Sequence, residues 1–186
     1  MLRVFKALFN HVILEHDLDI KNPCVGIKPF SVKRKFKYIP SDNDIETVKV
    51  ICDEEQKKLI KFVMETGCRI NEALRLTATD VFNDYIVLYT RKSKNSDLVP
   101  RKVPRPKSLC LDELKPTDRV FSSWTDRPKF LEDKVAELEQ KKWNWHNLRH
   151  RFASKLSKEG KPLFEIMTLL GHSNLKTTQN YLQLLP

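Results

Sequence analysis

The sequence predicts a mainly helical α+β fold carrying one small antiparallel hairpin, and three observations lead there. Apolar residues recur at helical spacing through most of the chain, as at Val4, Leu8 and Val12 and again at Phe5, Phe9 and Ile13. One stretch only, "DYIVLYTRKSKNSDLVPRKVP", changes period: Tyr85, Val87 and Tyr89 alternate with Ile86 and Leu88, all strand formers. Glycines and prolines punctuate the segments, with no internal repeat and no low-complexity tract.

Taken in order, 2–15 reads as an amphipathic helix that needs a partner for its apolar stripe. "KNPCVGIKPFSVKRKFKYIPSD" follows, rich in proline and in Lys28, Lys33, Arg34, Lys35 and Lys37, the composition of a linker or a solvated loop. Ser41 or Asp42 caps a helix starting near Ile45, and a second runs from about Glu54 to Glu65 and stops at Gly67. "RINEALRLTATDV" reads as a further helix. The hairpin then turns at about 93–96, with basic residues at its tip. Helices return near 130–140, near 146–158 before Gly160 and Pro162, and over 162–170, with Gly171 as the last C-terminal cap.

With 186 residues the chain suits one main domain with a fragment attached. Lys and Arg outnumber Asp and Glu by 34 to 24, a net charge of +10, which favours a polyanionic partner such as nucleic acid. A mean hydropathy of −0.48 and the lack of any apolar run near ~18 residues argue against a membrane span. The opening "MLRVFKALFNHVILEHD" has scattered charges and no small-residue cleavage site, so no signal peptide is expected and the location is read as cytoplasmic. Cys24, Cys52, Cys68 and Cys110 form no C-x-x-C and are read as buried thiols, without zinc or disulfides. His146 and His150 stand at i, i+4 but lack the Glu of H-E-x-x-H and enclose Arg149, so no metal is expected there.

The chemistry-bearing residues fall in three boxes. In "HNLRHRFASKL", His146, Arg149 and His150 share an outward helix face suited to a phosphate, while Leu148, Phe152 and Leu156 form the buried one. "TGCRINEALRLTATDV" places Arg69 just after a glycine turn, and "LLGHSNLKTTQNYL" puts Gly171-His172 ahead of Tyr181. Together with the hairpin lysines these supply phosphate donors, a proton donor and a nucleophile. Individually they are ordinary: Tyr181 alone reads as a half-buried packing residue, and Trp143 and Trp145 read as core. Arg101, Lys102, Arg105 and Lys107 either touch phosphates or line a solvated strand edge.

These three boxes, in this order and spacing from about Ser41 to Tyr181, resemble those of the tyrosine recombinase, or phage integrase, family. The resemblance implies that family's helical catalytic domain with a small antiparallel sheet over 41–186, a basic linker over 28–40, and over 1–27 the C-terminal end of a truncated N-terminal core-binding domain. It also implies a role for each matching residue. Arg69 is the first catalytic arginine, His146 and Arg149 the H-x-x-R pair, His172 the later histidine and Tyr181 the nucleophile; an ungapped match selects Lys92 as general acid, with Lys94 the other candidate. His150 supports the site and Glu72 orients Arg69 or the local backbone, while Lys33, Arg34, Lys35, Lys94, Arg101 and His150 are expected at the DNA.

The implied activity is site-specific cleavage and rejoining of double-stranded DNA through a 3′-phosphotyrosine, without metal, ATP or other cofactor. The partner is DNA held by a homo-tetramer, nucleoid-associated and of phage or prokaryotic origin, with no membrane role. Tyrosine has a reference pKa of about 10, so its phenol needs a base as it attacks. Guanidiniums meet the phosphate oxygens bidentately, and a lysine protonates the departing oxygen. Few residues follow Tyr181 for docking on a neighbouring subunit, which leaves a catalytically weak DNA-binding remnant as the competing expectation and a type IB topoisomerase-like activity behind it.

Overall fold

The structure is a computed structural model and describes residues 1–28, 30, 37–91, 97–111 and 114–172. Lys33, Arg34 and Lys35 of the linker, the hairpin tip with Lys92 and Lys94, and Tyr181 lie outside the described residues. The chain divides into two compact units, 1–36 and 37–186.

In the first unit α1 spans Leu2–Glu15, as its periodicity predicts. Within its apolar stripe Val4, Phe5 and Leu8 are 69%, 48% and 52% exposed, and Phe9, Val12 and Ile13 are partly buried. What order follows the helix comes from Asn22, whose amide donates to the Lys6 carbonyl and the Asn10 side chain while its oxygen accepts the Cys24 N–H.

The second unit opens with α2, Asp42–Val50, three residues earlier than the apolar pattern suggests. The cause is a capping box. Ser41 Oγ accepts the Asp44 N–H at 3.1 Å and the Asp44 carboxylate accepts the Ser41 N–H at 2.7 Å, so the acidic first turn is helical before any apolar residue appears. Asp53 and Gln56 make the same box for α3, Glu54–Thr66. Gly67 ends α3 at φ 61°, and a Cβ there would stand 2.2 Å from Phe152 Cδ1. Glycine therefore serves both the left-handed turn and the close approach of the helix that carries Phe152.

The helix expected over 69–81 is shorter than predicted. Only α4, Ile70–Ala73, forms, followed by a 3-10 turn at Ala78–Asp80. The competing bonds are local: the Asp80 carboxylate accepts the Thr77 N–H at 3.0 Å and the Thr77 hydroxyl at 2.6 Å, and Thr77 pairs with Arg119 in an isolated bridge.

Strands β1, Tyr85–Arg91, and β2, Leu98–Pro104, pair antiparallel with Tyr85 opposite Pro104 and Leu88 opposite Arg101. Ile86, Leu88 and Val103 point into the core. After α5, Phe130–Glu137, comes α6, Trp145–Lys158, capped by Asn144, then α7, Leu163–Leu170. Leu59, Ile60, Phe62 and Val63 of α3 meet Leu131, Val135, Trp143, Trp145 and Leu148 in one core. A smaller cluster, Ala153, Leu156, Ile166 and Leu170, holds α7 on α6. Each such fully buried aliphatic side chain contributes roughly 1.5–3 kcal/mol. Trp143 and Trp145 are core, as read, both 3% exposed, with the Trp145 indole donating to the Pro128 carbonyl. Cys24, Cys52 and Cys68 are buried, but Cys110 is exposed, against expectation, on the chain that leaves β2. Among the described residues no helix is long and apolar enough to cross a membrane.

Candidate active site

Arg69 occupies the N-cap of α4, between the glycine that ends α3 and the first turn of the next helix. Its N–H donates to Glu72 Oε2 and its Nη1 to Glu72 Oε1, each at 2.9 Å, so one carboxylate caps the helix and holds the guanidinium. The Arg69 side chain stays 39% exposed while that of Glu72 is 1% exposed. Glu72 also accepts the Thr90 hydroxyl at 2.8 Å and Arg101 Nη2 at 2.7 Å. Burial opposes its ionisation, yet the Arg101 hydrogen bond and charge, the Arg69 N–H and the Arg149 charge together bring its pKa down to about 2.

Arg101 departs from expectation. Its position on β2 suggested a phosphate contact, but its side chain is 7% exposed and turned inward. Besides Glu72, it donates from Nη1 to Thr90 Oγ1 at 2.5 Å and from Nε to the Leu169 carbonyl at 2.9 Å. Thr90 lies diagonally across the antiparallel pair, where its hydroxyl links the two charged groups.

Arg149 also differs from its sequence reading. Instead of facing outward with the histidines it is 1% exposed, and its Nη1 and Nη2 donate to the carbonyls of Gly67 and Leu170. Helix α6 lies between α3 and α7, so its buried arc is wider than one amphipathic stripe and takes in Arg149 and His150 beside Leu148. Arg101 and Arg149 thus occupy the last carbonyls of α7, the groups a helix end leaves without partners and where its dipole favours cations. Gly171, at φ 64°, lets that end settle on the hairpin: a Cβ there would lie 3.0 Å from Arg101 Cδ. The His172 N–H closes the cap on the Met167 carbonyl, so His172 leaves α7 from a fixed point.

The imidazoles sit among these cations. The His146 and His150 rings meet edge to face with centroids 4.5 Å apart. Burial, then the charges of Lys37, Arg149, Arg69 and Arg127, lower the pKa of His146 to about 4. Burial and the charges of His146, Lys37, Arg149 and His172 bring His150 to about 3. Burial followed by Arg149, Arg69, His146 and Arg101 brings half-buried His172 to about 4. Burial first, and the cationic surround after it, disfavour the charged form of all three, and a bound anion would relieve the second of these.

The structure therefore brings Arg69, His146, Arg149, His150 and His172 into one neighbourhood. Lys37, Arg127 and Thr90, which no motif in the sequence marked for this place, join them, as does Arg101, expected at the DNA but turned inward; Glu72 was marked and holds Arg69, Thr90 and Arg101 together. Such an arrangement, cationic and partly enclosed with neutral imidazoles at hand, can bind a phosphodiester, stabilise charge growing on its oxygens and accept a proton from a nucleophile.

The phage integrase family profile matches residues 122–186, a span that takes in α6, α7 and Tyr181. The integrase of Haemophilus phage HP1 is 28% identical over 188 residues, covering 97% of this chain and 54% of that protein. A tyrosine recombinase of Thermosipho africanus is 27% identical over 193 residues, covering 95% of this chain and 67% of its own length. The chain thus spans about half to two thirds of these relatives. Among solved structures, the catalytic domain of bacteriophage HP1 integrase aligns with a TM-score of 0.64 and 25% identity over 80% of this chain and 88% of that one. The Tn1549 transposon integrase, in complex with a circular intermediate DNA, shares the fold with a TM-score of 0.68 and 19% identity over 97% of this chain and 72% of that one.

Proposed function

We propose that the chain is a member of the phage integrase family of tyrosine recombinases, whose profile and relatives it resembles, and that it is the DNA-cleaving part of a site-specific recombinase. One observation carries the reading. Two guanidiniums, Arg69 and Arg149, act on one buried carboxylate, Glu72, and their charges also reach the His146 and His172 imidazoles, with His172 nine residues before Tyr181.

In this reading a DNA phosphodiester seats against Arg69, with Arg149 behind it as a fixed interior charge. The Tyr181 phenol attacks phosphorus as its proton passes to a neutral histidine, and the negative charge on the non-bridging oxygens meets cations already in place. The P–O5′ bond breaks, Lys92 protonates the departing oxygen, and the strand is left with a 3′-phosphotyrosine and a free 5′-hydroxyl. Bond energy stays in the ester, so a second 5′-hydroxyl can displace the tyrosine and reseal the strand without ATP. The net charge of +10 suits a duplex DNA partner, and Lys33, Arg34, Lys35 and Lys94 are placed by this reading on its backbone. Assembly of four copies on two duplexes, in a bacterial or phage nucleoid setting, belongs to the same proposal.

Tyr181→Phe removes one hydroxyl and keeps the ring. On a nicked suicide duplex built from the ends of the DNA element that carries this coding sequence, the unaltered chain accumulates a covalent protein–DNA species and the variant binds without forming it. A covalent product from the variant would assign the attack to another residue and overturn this reading.

A further inference from the structure

A cavity of about 460 Å³ opens beside α4, and of its lining only Arg127 is shared with the cluster of arginines and histidines just described. Arg75, Arg119 and Arg127 line it together with Asn71, Thr125 and Asp126. Three guanidiniums thus share one void with a single lining carboxylate. Arg75 is anchored there by a 2.9 Å bond from Nη2 to the Tyr89 carbonyl, and its Nε is buried with no hydrogen-bond partner among the described residues. Arg127 is half exposed and tied on one side to Glu132. A threonine hydroxyl and an asparagine amide complete the set. Planar forks with added neutral donors form the donor chemistry that recognises a phosphate.

The cavity also adjoins the catalytic cluster. Asn71 is two residues from Arg69 on the same short helix, and the Arg127 charge acts on His146. Its volume exceeds what a lone phosphate fills and lies within the range of small-molecule sites. Burial, reinforced by the nearby Arg91 charge and opposed by that of Glu72, disfavours the charged form of Arg75, a penalty that an anion in the void would offset.

We propose that this cavity takes a second backbone phosphate, with its deoxynucleoside, of the DNA strand whose scissile phosphate meets Arg69. The inference rests on the recombinase reading for its ligand but not for its geometry. Arg75, Arg119 and Arg127 hold the neighbouring nucleotide, so the strand is fixed on both sides of one sugar and the scissile phosphorus is presented in one orientation.

The test uses the full chain, the Nε–Hε resonances of its arginines, and thymidine 3′,5′-bisphosphate as probe with thymidine as control. Titration with the bisphosphate shifts the Arg75 and Arg119 signals, and thymidine leaves them in place. Arg119→Gln and, separately, Arg127→Gln each weaken the probe about tenfold, the loss expected of one charge-assisted contact. Arg69→Ala leaves the shifts at Arg75 and Arg119 intact. Signals that stay still, an affinity indifferent to both glutamine variants, or shifts that vanish with Arg69→Ala would each overturn the proposal, the last by placing the anion in the catalytic cluster. A failure of the recombinase reading shows in the covalent assay instead, since this titration involves no strand cleavage.

Discussion

Glu72 and Arg101 stand 29 residues apart in the chain and are joined at 2.7 Å, with side chains only 1% and 7% exposed. Through that pair the hairpin, the first arginine and the end of α7 become one unit. Glu72 holds Arg69 and Arg101 holds the Leu169 carbonyl.

Removing one member of this pair leaves the other buried without its main partner. Arg101→Met is therefore expected to cost about 3–5 kcal/mol, read as a lowered urea midpoint. Arg101→Lys keeps the charge but reaches fewer of the three acceptors, and falls between the two. Equal midpoints for all three proteins would show that the pair does not couple these elements.

Gly67→Ala and Gly160→Ala separate backbone strain from crowding. Both glycines have positive φ, 61° and 74°, but a Cβ meets Phe152 at 2.2 Å in the first case and nothing within 4 Å in the second. Gly160→Ala should cost about 1 kcal/mol from its left-handed conformation alone. Gly67→Ala should cost about 1–3 kcal/mol more, because the Phe152 ring has to move. Thermal unfolding of the two variants side by side gives the difference, and similar losses would count against a close approach of α3 and α6.

Stability should fall on mild acidification. His146, His150 and His172 have folded pKa values of about 4, 3 and 4 against an ordinary 6.5, so the unfolded chain binds more protons between those limits. The contribution is complete above about pH 6.5 and is lost progressively as pH falls toward about 3 to 4. His150, 7% exposed, supports this more firmly than His146, which is exposed. Glu72, depressed from 4.5 to about 2, adds its own loss only below pH 4.5. Urea midpoints measured from pH 8 to pH 4.5 should decline, and a flat profile over that window would contradict the lowered histidine pKa values.

The two hairpin lysines are distinguished by leaving-group chemistry. Lys92→Ala should block cleavage of an ordinary phosphodiester yet spare a 5′-bridging phosphorothiolate, whose thiolate departs without a proton. Lys94→Ala should weaken binding alone. Thio-rescue by Lys94→Ala would transfer the general-acid role to that residue.

Local chemistry was legible in the sequence where periodicity or a cap reports it. The α1 span, the glycine ends at Gly67 and Gly171, and the single change of period at 85–89 all depend on neighbours close in the chain, and periodicity and capping report such neighbours directly. So does the grouping of polar residues in three boxes, which led to the family. The shortened α4 was less legible because Thr77 and Asp80 offered a competing local bond that helical spacing conceals. What only the tertiary structure decided is direction. Arg149 looked outward on a helical wheel and is buried because α3 and α7 enclose α6 from two sides. Arg101 looked like a strand-edge cation and turns inward because Glu72, from a distant segment, and the carbonyl end of α7 meet behind the hairpin. Neither partner can be read from residues near Arg101, since a buried charge takes its partners from whatever the fold brings alongside it.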